Sequence, residues 1–440
     1  MRFRTAAAVF LVLVVTAPAC SRGGGTTRDV PFVAVNPASG STTDQAIAKA
    51  QKRLRANQKD ASAQLDLAKA FLQKARETAD PSLYVKAGQL LDLTSKQSPS
   101  DLGLVVTKGA LALAQHRFRD ALTFGRLALN RAPTSQAALG VLVDAYNELG
   151  RYDEALRVTQ RMVDTRPNLS SLSRVSYERE LHGDPSGAVA AMTQAVTSGG
   201  SAGGENVAYV QTLLGNLLVN QGRLNEASRS YADAERSFPG FPAAQAGRAR
   251  ILVAEGRFGE AANLLRRVVK VQPLSEYAIA QGDALIADGQ KKAAAKAYEL
   301  VDVIARLYRA NGVNVDLELS LFAADHQPGP DAVSLAREAL KGRPSILGHD
   351  ALAWNLFRNG QTSEAAKEAS RALATGSRDP VLRYHAAAIA LADGRQGEAT
   401  AHLRIVLATN PRFSAALSDD VEALAAKLGI EVPPAPNASG

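Results

Sequence analysis

The sequence predicts an all-α fold, an array of about ten helix pairs ending in a C-terminal capping helix. Two observations carry this expectation. Ten alanines, Ala87, Ala121, Ala155, Ala188, Ala227, Ala261, Ala294, Ala332, Ala365 and Ala399, recur at spacings of 34, 34, 33, 39, 34, 33, 38, 33 and 34 residues. Other residues keep fixed offsets from each alanine, as a helix-turn-helix unit requires if every copy is to stack in one geometry. A chain of 440 residues, 46% apolar but only 5% aromatic, suits a solenoid in which each unit buries its face against neighbours.

In chain order, residues 1–19 read as an export signal. Arg2 and Arg4 give a positive start, and Ala6 to Val15 form an apolar run too short to span a bilayer. The single cysteine, Cys20, follows Ala17-Pro18-Ala19, which meets the small-residue rule for signal cleavage. Bacterial lipoprotein signals are cut at the same bond. Despite Pro18, which departs from their usual pattern, this resemblance makes Cys20 the expected lipid anchor, on the cell membrane or outer membrane and facing periplasm or exterior. A soluble secreted or periplasmic protein is the alternative. Without a second cysteine, no intramolecular disulfide or cysteine-type metal site is available.

Residues 20–43 are rich in Gly, Ser, Thr and Pro and are expected to be a flexible tether. Residues 44–60 are expected to hold an N-terminal helix covering the first repeat, and residues 61–411 the repeat array. Within each unit, the residue five before the repeat alanine is glycine at Gly150, Gly183, Gly222, Gly256, Gly289, Gly360 and Gly394, with His116, Ser82 and Gln327 as replacements. Glycine there ends the first helix by taking a left-handed conformation without steric penalty. Twelve residues after the alanine, Pro99, Pro133, Pro167, Pro239, Pro273, Pro344 and Pro411 stop the second helix.

Twelve residues before the alanine stand mostly small residues, among them Ala75, Gly109, Ser176, Gly215, Ala249 and Gly282, where the helices of a pair are expected to approach closely. The loop Ser198 to Gly204 and a longer helix near Lys291 to Ala310 account for the two long spacings and mark two places where the array can hinge. Residues 412–430 place Phe413, Leu417, Val421, Leu424 and Leu428 at helical spacing, as a capping helix would. Residues 431–440, with Pro433-Pro434-Ala435-Pro436, read as a disordered tail.

These positions resemble the tetratricopeptide repeat family, whose 34-residue unit pairs a small residue in its first helix with alanine in, and proline after, its second. The best match runs from Leu142 to Pro167 and contains Asp144-Ala-Tyr146-Asn-Glu-Leu-Gly150-Arg-Tyr152-Asp-Glu-Ala155-Leu. Gly222-Arg-Leu-Asn-Glu-Ala227 and Gly256-Arg-Phe-Gly-Glu-Ala261 repeat its turn. Ankyrin units would need Thr-Pro-Leu-His, which is absent, and RNA-reading pentatricopeptide units would clash with export.

The resemblance implies a right-handed α-solenoid whose concave face is lined by first-helix residues. Counted from the turns, these are Asp144, Asn147, Ser173, Tyr177, Tyr209, Thr212, Asn216, Asn220 and Arg250, a polar and aromatic run suited to an extended peptide or polymer. Trp354 and Tyr384 sit at later matching positions, where packing between helices is the expected role of Trp354. The family's carboxylate clamp is not reproduced, because Leu72, Val106, Gly140 and Ser173 stand where its first lysine would be.

The net charge of +8, from 51 basic against 43 acidic residues, is modest, and the basic residues lie among acids rather than in a stripe. That pattern argues against nucleic-acid binding. Gly199-Gly-Ser201-Ala-Gly203 spells a nucleophile elbow, but the motif needs a strand before it, and both neighbours here are helices. The six histidines are scattered and no phosphate-cradling or calcium loop occurs, so neither catalysis nor a cofactor or metal is expected. The expected function is an exported, membrane-anchored scaffold binding protein partners of a cell-envelope complex. The alternative is a carbohydrate-binding module aiding envelope polysaccharide export or assembly.

Overall fold

The computed structural model describes residues 30–35, 41–199 and 204–433, and all their regular structure is helical. Helix α1 spans Thr42–Ala56, and the first repeat pairs α2 (Ala61–Thr78) with α3 (Ser82–Gln97). Repeats 2 to 4 pair α4 (Leu102–Ala114) with α5 (Phe118–Arg131), α6 (Gln136–Glu148) with α7 (Tyr152–Thr165), and α8 (Leu169–Leu181) with α9 (Pro185–Ser198). Repeats 5 to 7 pair α10 (Glu205–Asn220) with α11 (Leu224–Ser237), α12 (Pro242–Ala254) with α13 (Phe258–Val271), and α14 (Ser275–Ala287) with α15 (Lys291–Ala310). Repeats 8 to 10 pair α16 (Asp316–His326) with α17 (Pro330–Gly342), α18 (Ile346–Arg358) with α19 (Thr362–Ala372), and α20 (Pro380–Ala392) with α21 (Gln396–Thr409). Helix α22 (Ser418–Leu428) follows. In each pair the first helix is termed A and the second B.

Each repeat signal has a local cause. All ten repeat alanines lie in B helices with exposures of 0 to 5%, where only a methyl group fits. The seven turn glycines have φ between +66 and +77°, the left-handed region. In repeat 2, His116 itself adopts φ +56°. In repeat 1 the left-handed residue is Ala79, at φ +54°, not Ser82, which already begins α3. Gln327 instead keeps a negative φ, −144°. Each exit proline lies two residues past its B helix, and the residue between is pushed out of the helical region, as Ala132 is at φ −139°, ψ 90°.

The small residues of the A helices serve a contact that spacing alone does not reveal. In the middle repeats the B helix lays a tyrosine ring against glycine. Tyr231 occupies the space that a Cβ at Gly215 or Gly247 would need, and Tyr298 does the same at Gly282. The ring hydroxyls donate to Asn216 Oδ1 and Asp283 Oδ1, each at 2.8 Å. In repeat 4, Ser176 Oγ donates to the carbonyl of the repeat alanine Ala188 at 2.7 Å.

Neighbouring A helices touch, as α2 with α4, α4 with α6, α10 with α12 and α18 with α20, whereas successive B helices make little or no contact. The array therefore bends towards its A side, which becomes the inner face. The curvature is tight enough to bring the chain back on itself after five repeats. Gln272 Nε2 of repeat 6 donates to Arg76 O of repeat 1 at 2.6 Å. Asn314 N, after repeat 7, donates to Gln115 O of repeat 2 at 3.2 Å. Arg343, after repeat 8, pairs with Glu148 of repeat 3, and Ile346 N donates to Tyr152 Oη at 2.7 Å. Asn410 Nδ2, after repeat 10, donates to Val219 O of repeat 5 at 3.0 Å. The chain thus forms two superhelical turns joined along a seam, each A–B turn of the first resting on an exit loop of the second.

The seam explains a split among the turn glycines. A Cβ at Gly183 would lie 2.5 Å from Gly376 O, and one at Gly222 2.5 Å from Thr409 O, whereas those at Gly256, Gly289, Gly360 and Gly394 would meet nothing within 4 Å. It also corrects one of the two expected hinges. The long α15 and the loop after it are fixed to the first turn, with Tyr308 Oη donating to Ala79 O at 3.3 Å and His116 Nδ1 lying 2.6 Å from Asn314 O. The other expected hinge lies partly outside the described residues, at 200–203.

The ends also differ from expectation. Within the segment read as a tether, Val30 is buried with Ile47 and Leu54, and Gln51 Nε2 donates to Val33 O at 3.0 Å, so residues 30–35 pack on α1. Helix α1 starts at Thr42 because Ser41 caps it, accepting from Asp44 N. At the other end, Phe413, Leu417, Val421 and Leu424 cover Leu403, Val406 and Leu407 of the last repeat, although the helix itself begins only at Ser418. The export signal, Cys20 and the tail from residue 434 lie outside the described residues.

Candidate functional site

Inside the two-turn superhelix lie two cavities of about 480 and 470 Å³ that share Tyr209, Ala243, Glu276 and Tyr277 in their walls. The first is bounded by the A helices of repeats 5 to 7 and by Phe413, Ser414 and Ala415. The second opens where repeat 1 meets repeats 6 and 7 across the seam, and includes Tyr84, Arg76, Gln272, Tyr308 and Glu318. Both are products of the closure, since neither wall exists in a single turn.

The nine sequence-derived positions fall into three groups. Tyr209, Thr212, Asn216 and Arg250 line the first cavity, and Tyr209 is 49% exposed. Asn216 Oδ1 accepts from Tyr231 Oη at 2.8 Å and Arg250 Nη1 at 3.2 Å, and Asn220 Oδ1 accepts from Arg250 Nη2 at 2.7 Å. This ladder ties α10 to α12 and holds Arg250 in one orientation. Further along the inner face, Asp144 takes a bidentate grip from Arg174, at 2.8 and 2.6 Å, and Ser173 Oγ donates to Ser170 O at 3.1 Å. Tyr177 is half-exposed, but the surrounding inner wall pushes its hydroxyl pKa up by desolvation.

One position, Asn147, is corrected, and Thr212 is more enclosed than expected. Asn147 is 3% exposed and donates through Nδ2 to Glu178 Oε1 at 2.8 Å, so it joins α6 to α8 rather than meeting a partner. Thr212 is also 3% exposed, with its hydroxyl donating to Ala208 O at 2.8 Å, so it stands in the wall of the first cavity without a free polar group. Trp354 and Tyr384, 1 and 4% exposed, are packing residues. Trp354 stacks on His385 at 4.1 Å and donates through Nε1 to Asp325 Oδ1 at 2.7 Å.

Several inner residues were missed by counting only the middle units. Asp283 stands eleven residues before its repeat alanine, the offset shared by Asp144, Tyr177, Asn216 and Arg250, and Glu276 stands eighteen before, the offset of Tyr209. The same count extended to repeat 7 finds both. Tyr84 and Tyr308 lie on B helices, and reach a cavity only because the turns close, so no offset signals them.

The inner face is rich in carboxyl groups held at raised pKa values. Burial raises Glu276, with further help from the charge of Glu318. Glu180 is pushed up to about 7 by burial and then by Asp379, whose own carboxyl is raised by burial. Arg343 answers Glu148 and Glu318, and Arg174 answers Asp144. Among the described residues, no group of His, Cys, Asp and Glu is arranged to hold a metal ion, and no helix is long and apolar enough to cross a membrane.

Residues 112–174 and 218–284 match a family model described as tetratricopeptide repeat. Among solved structures, the chain is similar to a thermophilic tetratricopeptide repeat protein of Thermus thermophilus. Identity is 21%, over 42% of this chain and 99% of that one, with a TM-score of 0.37. A tetratricopeptide repeat protein of Parabacteroides merdae matches at 17% identity over 56% of this chain and 98% of its own, with a TM-score of 0.39. Yeast Tom70 matches at 12% identity over 84% of this chain and 95% of its own, with a TM-score of 0.34. No curated protein matches the chain. Residues 112–174 and 218–284 are thus tetratricopeptide repeats, and the helix pairs outside them share the same alanine, glycine and proline geometry.

Proposed function

We propose that this chain is an exported, membrane-anchored scaffold that holds a protein partner within its inner channel and supports assembly of a cell-envelope complex. The observation that carries the channel reading is the pair of adjoining cavities sharing Tyr209, Ala243, Glu276 and Tyr277. Their walls combine fixed polar groups, such as the Asn216–Arg250–Asn220 ladder, with solvent-facing tyrosine, the mix that orients a bound chain while giving it apolar area. Export and anchoring rest on Arg2, Arg4, the apolar run to Val15 and Cys20 after Ala19.

A photo-crosslinking residue at Tyr209, compared with one at the exposed Leu156 of the B helix α7, tests the channel. A discrete partner captured from Tyr209 alone is expected; capture from Leu156 alone, or from neither, removes the proposal. Intact mass of the membrane-fraction protein beside Cys20→Ala tests the anchor. A diacylglyceryl-sized gain lost in the variant is expected, and an unmodified soluble chain overturns it. The cluster of Tyr84, Tyr209, Tyr277 and Tyr308 favours a second reading, a carbohydrate partner, which a glycan in place of protein on the Tyr209 crosslink would establish.

A further inference from the structure

We infer that the cavity between the two superhelical turns receives a cationic side chain, a lysine ammonium or arginine guanidinium, from an extended partner polypeptide. The inference rests on the scaffold reading above and names the chemistry that its channel selects.

Four phenol rings, Tyr84, Tyr209, Tyr277 and Tyr308, contribute to the wall of this cavity. Aromatic faces attract organic cations through the ring quadrupole. Between them the polar balance is one-sided. Gln272 is 6% exposed, and its Nε2 is spent on Arg76 O, while its Oε1 has no partner. Glu318 accepts from Arg343 Nη1 at 3.3 Å through Oε1, and its Oε2 is buried and without a partner. Neither orphan is a donor, so each calls for a donor from a ligand.

The cavity's acidic groups are also incompletely balanced. Glu276 feels the like charge of Glu318, shares a hydrogen bond with Tyr277, and forms no ion pair among the described residues. Arg76, the one arginine in the wall, lies against Glu205 at 3.5 Å and donates to Asn206 Oδ1 at 3.3 Å. Water or a neutral sugar hydroxyl would satisfy the orphan acceptors but leave the repulsion between Glu276 and Glu318. A cation removes both deficits together. The continuation into the neighbouring cavity past Tyr209 and Tyr277 provides room for the residues on either side of such a side chain, which a free amine would not need.

Calorimetry on the full chain tests this with blocked alanine pentapeptides carrying central Lys, Arg, Gln or Glu, and with butylammonium. The Lys and Arg peptides should bind and the Gln and Glu peptides should not. Glu276→Gln should weaken the Lys peptide at least about tenfold with the thermal midpoint unchanged. Tyr209→Leu should weaken it where Tyr209→Phe does not, since phenylalanine keeps the ring face.

Equal binding of the Lys and Gln peptides, no binding of either basic peptide, or indifference to Glu276→Gln overturns the inference. Butylammonium binding as tightly as the Lys peptide overturns the polypeptide source and leaves a small organic cation. Peptide binding without a crosslinked partner at Tyr209 would fail the scaffold reading alone. A crosslinked partner with no peptide preference would fail the cation alone.

Discussion

Arg343 and Glu148 lie 195 positions apart and form an ion pair, with Arg343 Nη2 donating to Glu148 Oε1 at 2.9 Å. Both side chains are four-fifths or more buried, and Arg343 also reaches Glu318. The pair clasps repeat 8 to repeat 3, five repeats back along the array. Removing one partner strands a buried charge, so Arg343→Met should cost about 3 kcal/mol of stability in urea. Glu148→Gln added to it should recover part of that loss, because the stranded charge is gone. A strictly additive double variant would mean that the pair does not couple the turns.

The seam also separates glycines that look identical in sequence. Gly394→Ala should cost about 1 to 2 kcal/mol, the penalty of a left-handed non-glycine residue facing open space. At Gly150 the new Cβ would also collide with the Pro344 carbonyl oxygen, a backbone atom that cannot step aside. Gly150→Ala should therefore cost roughly 1 to 3 kcal/mol more. Equal losses in the two variants, read from urea midpoints at unchanged slope, would dissolve the seam.

That contrast marks what was legible in the sequence. Ala155, Gly150 and Pro167 announce themselves because each answers a local demand: a methyl-sized contact, a left-handed turn, a missing N–H. Pitch is different in kind. It accumulates from small rotations between repeats, and no single residue encodes it, so Tyr308 could not be foreseen beside Tyr84. Offsets named the inner face at Tyr209 and Arg250 but misjudged Asn147, because an offset gives the direction of a side chain and not the Glu178 that meets it.

Tyr231 offers a test of packing within repeats. Its ring covers Gly215 and Gly247, and its hydroxyl holds Asn216. Tyr231→Phe keeps the ring and should cost about 1 kcal/mol for the lost hydrogen bond. Gly247→Ala must displace the ring itself and should cost about 1 to 3 kcal/mol, with Asn216 and Arg250 losing their register. If Gly247→Ala melts with the native chain, the ring has room to move and the glycines are not there to seat it.

Glu180 gives the seam a pH dependence whose sign can be worked out. Its carboxyl, on α8, is raised to about 7 by burial and by Asp379 at the start of α20, opposed by Asn220 on α10 and Arg250 on α12. In the unfolded chain a glutamate titrates near pH 4.3. Between these values the folded state holds a proton that the unfolded state has released, so this group's contribution is fully present below about pH 4.3 and is lost as pH rises to about 7. Above that, ionised Glu180 faces Asp379 across the two turns. Glu180→Gln removes the titration while keeping an acceptor for Asn220, and should match the native chain near pH 5 but melt higher at pH 8. Asp379→Asn, which retains a capping side chain for Val381 and Leu382, should lower the pKa of Glu180 and move the upper edge of the window to lower pH. Parallel pH profiles of melting for the native chain and Glu180→Gln would show that the carboxyl is not raised, and that the turns meet at this point without an electrostatic cost.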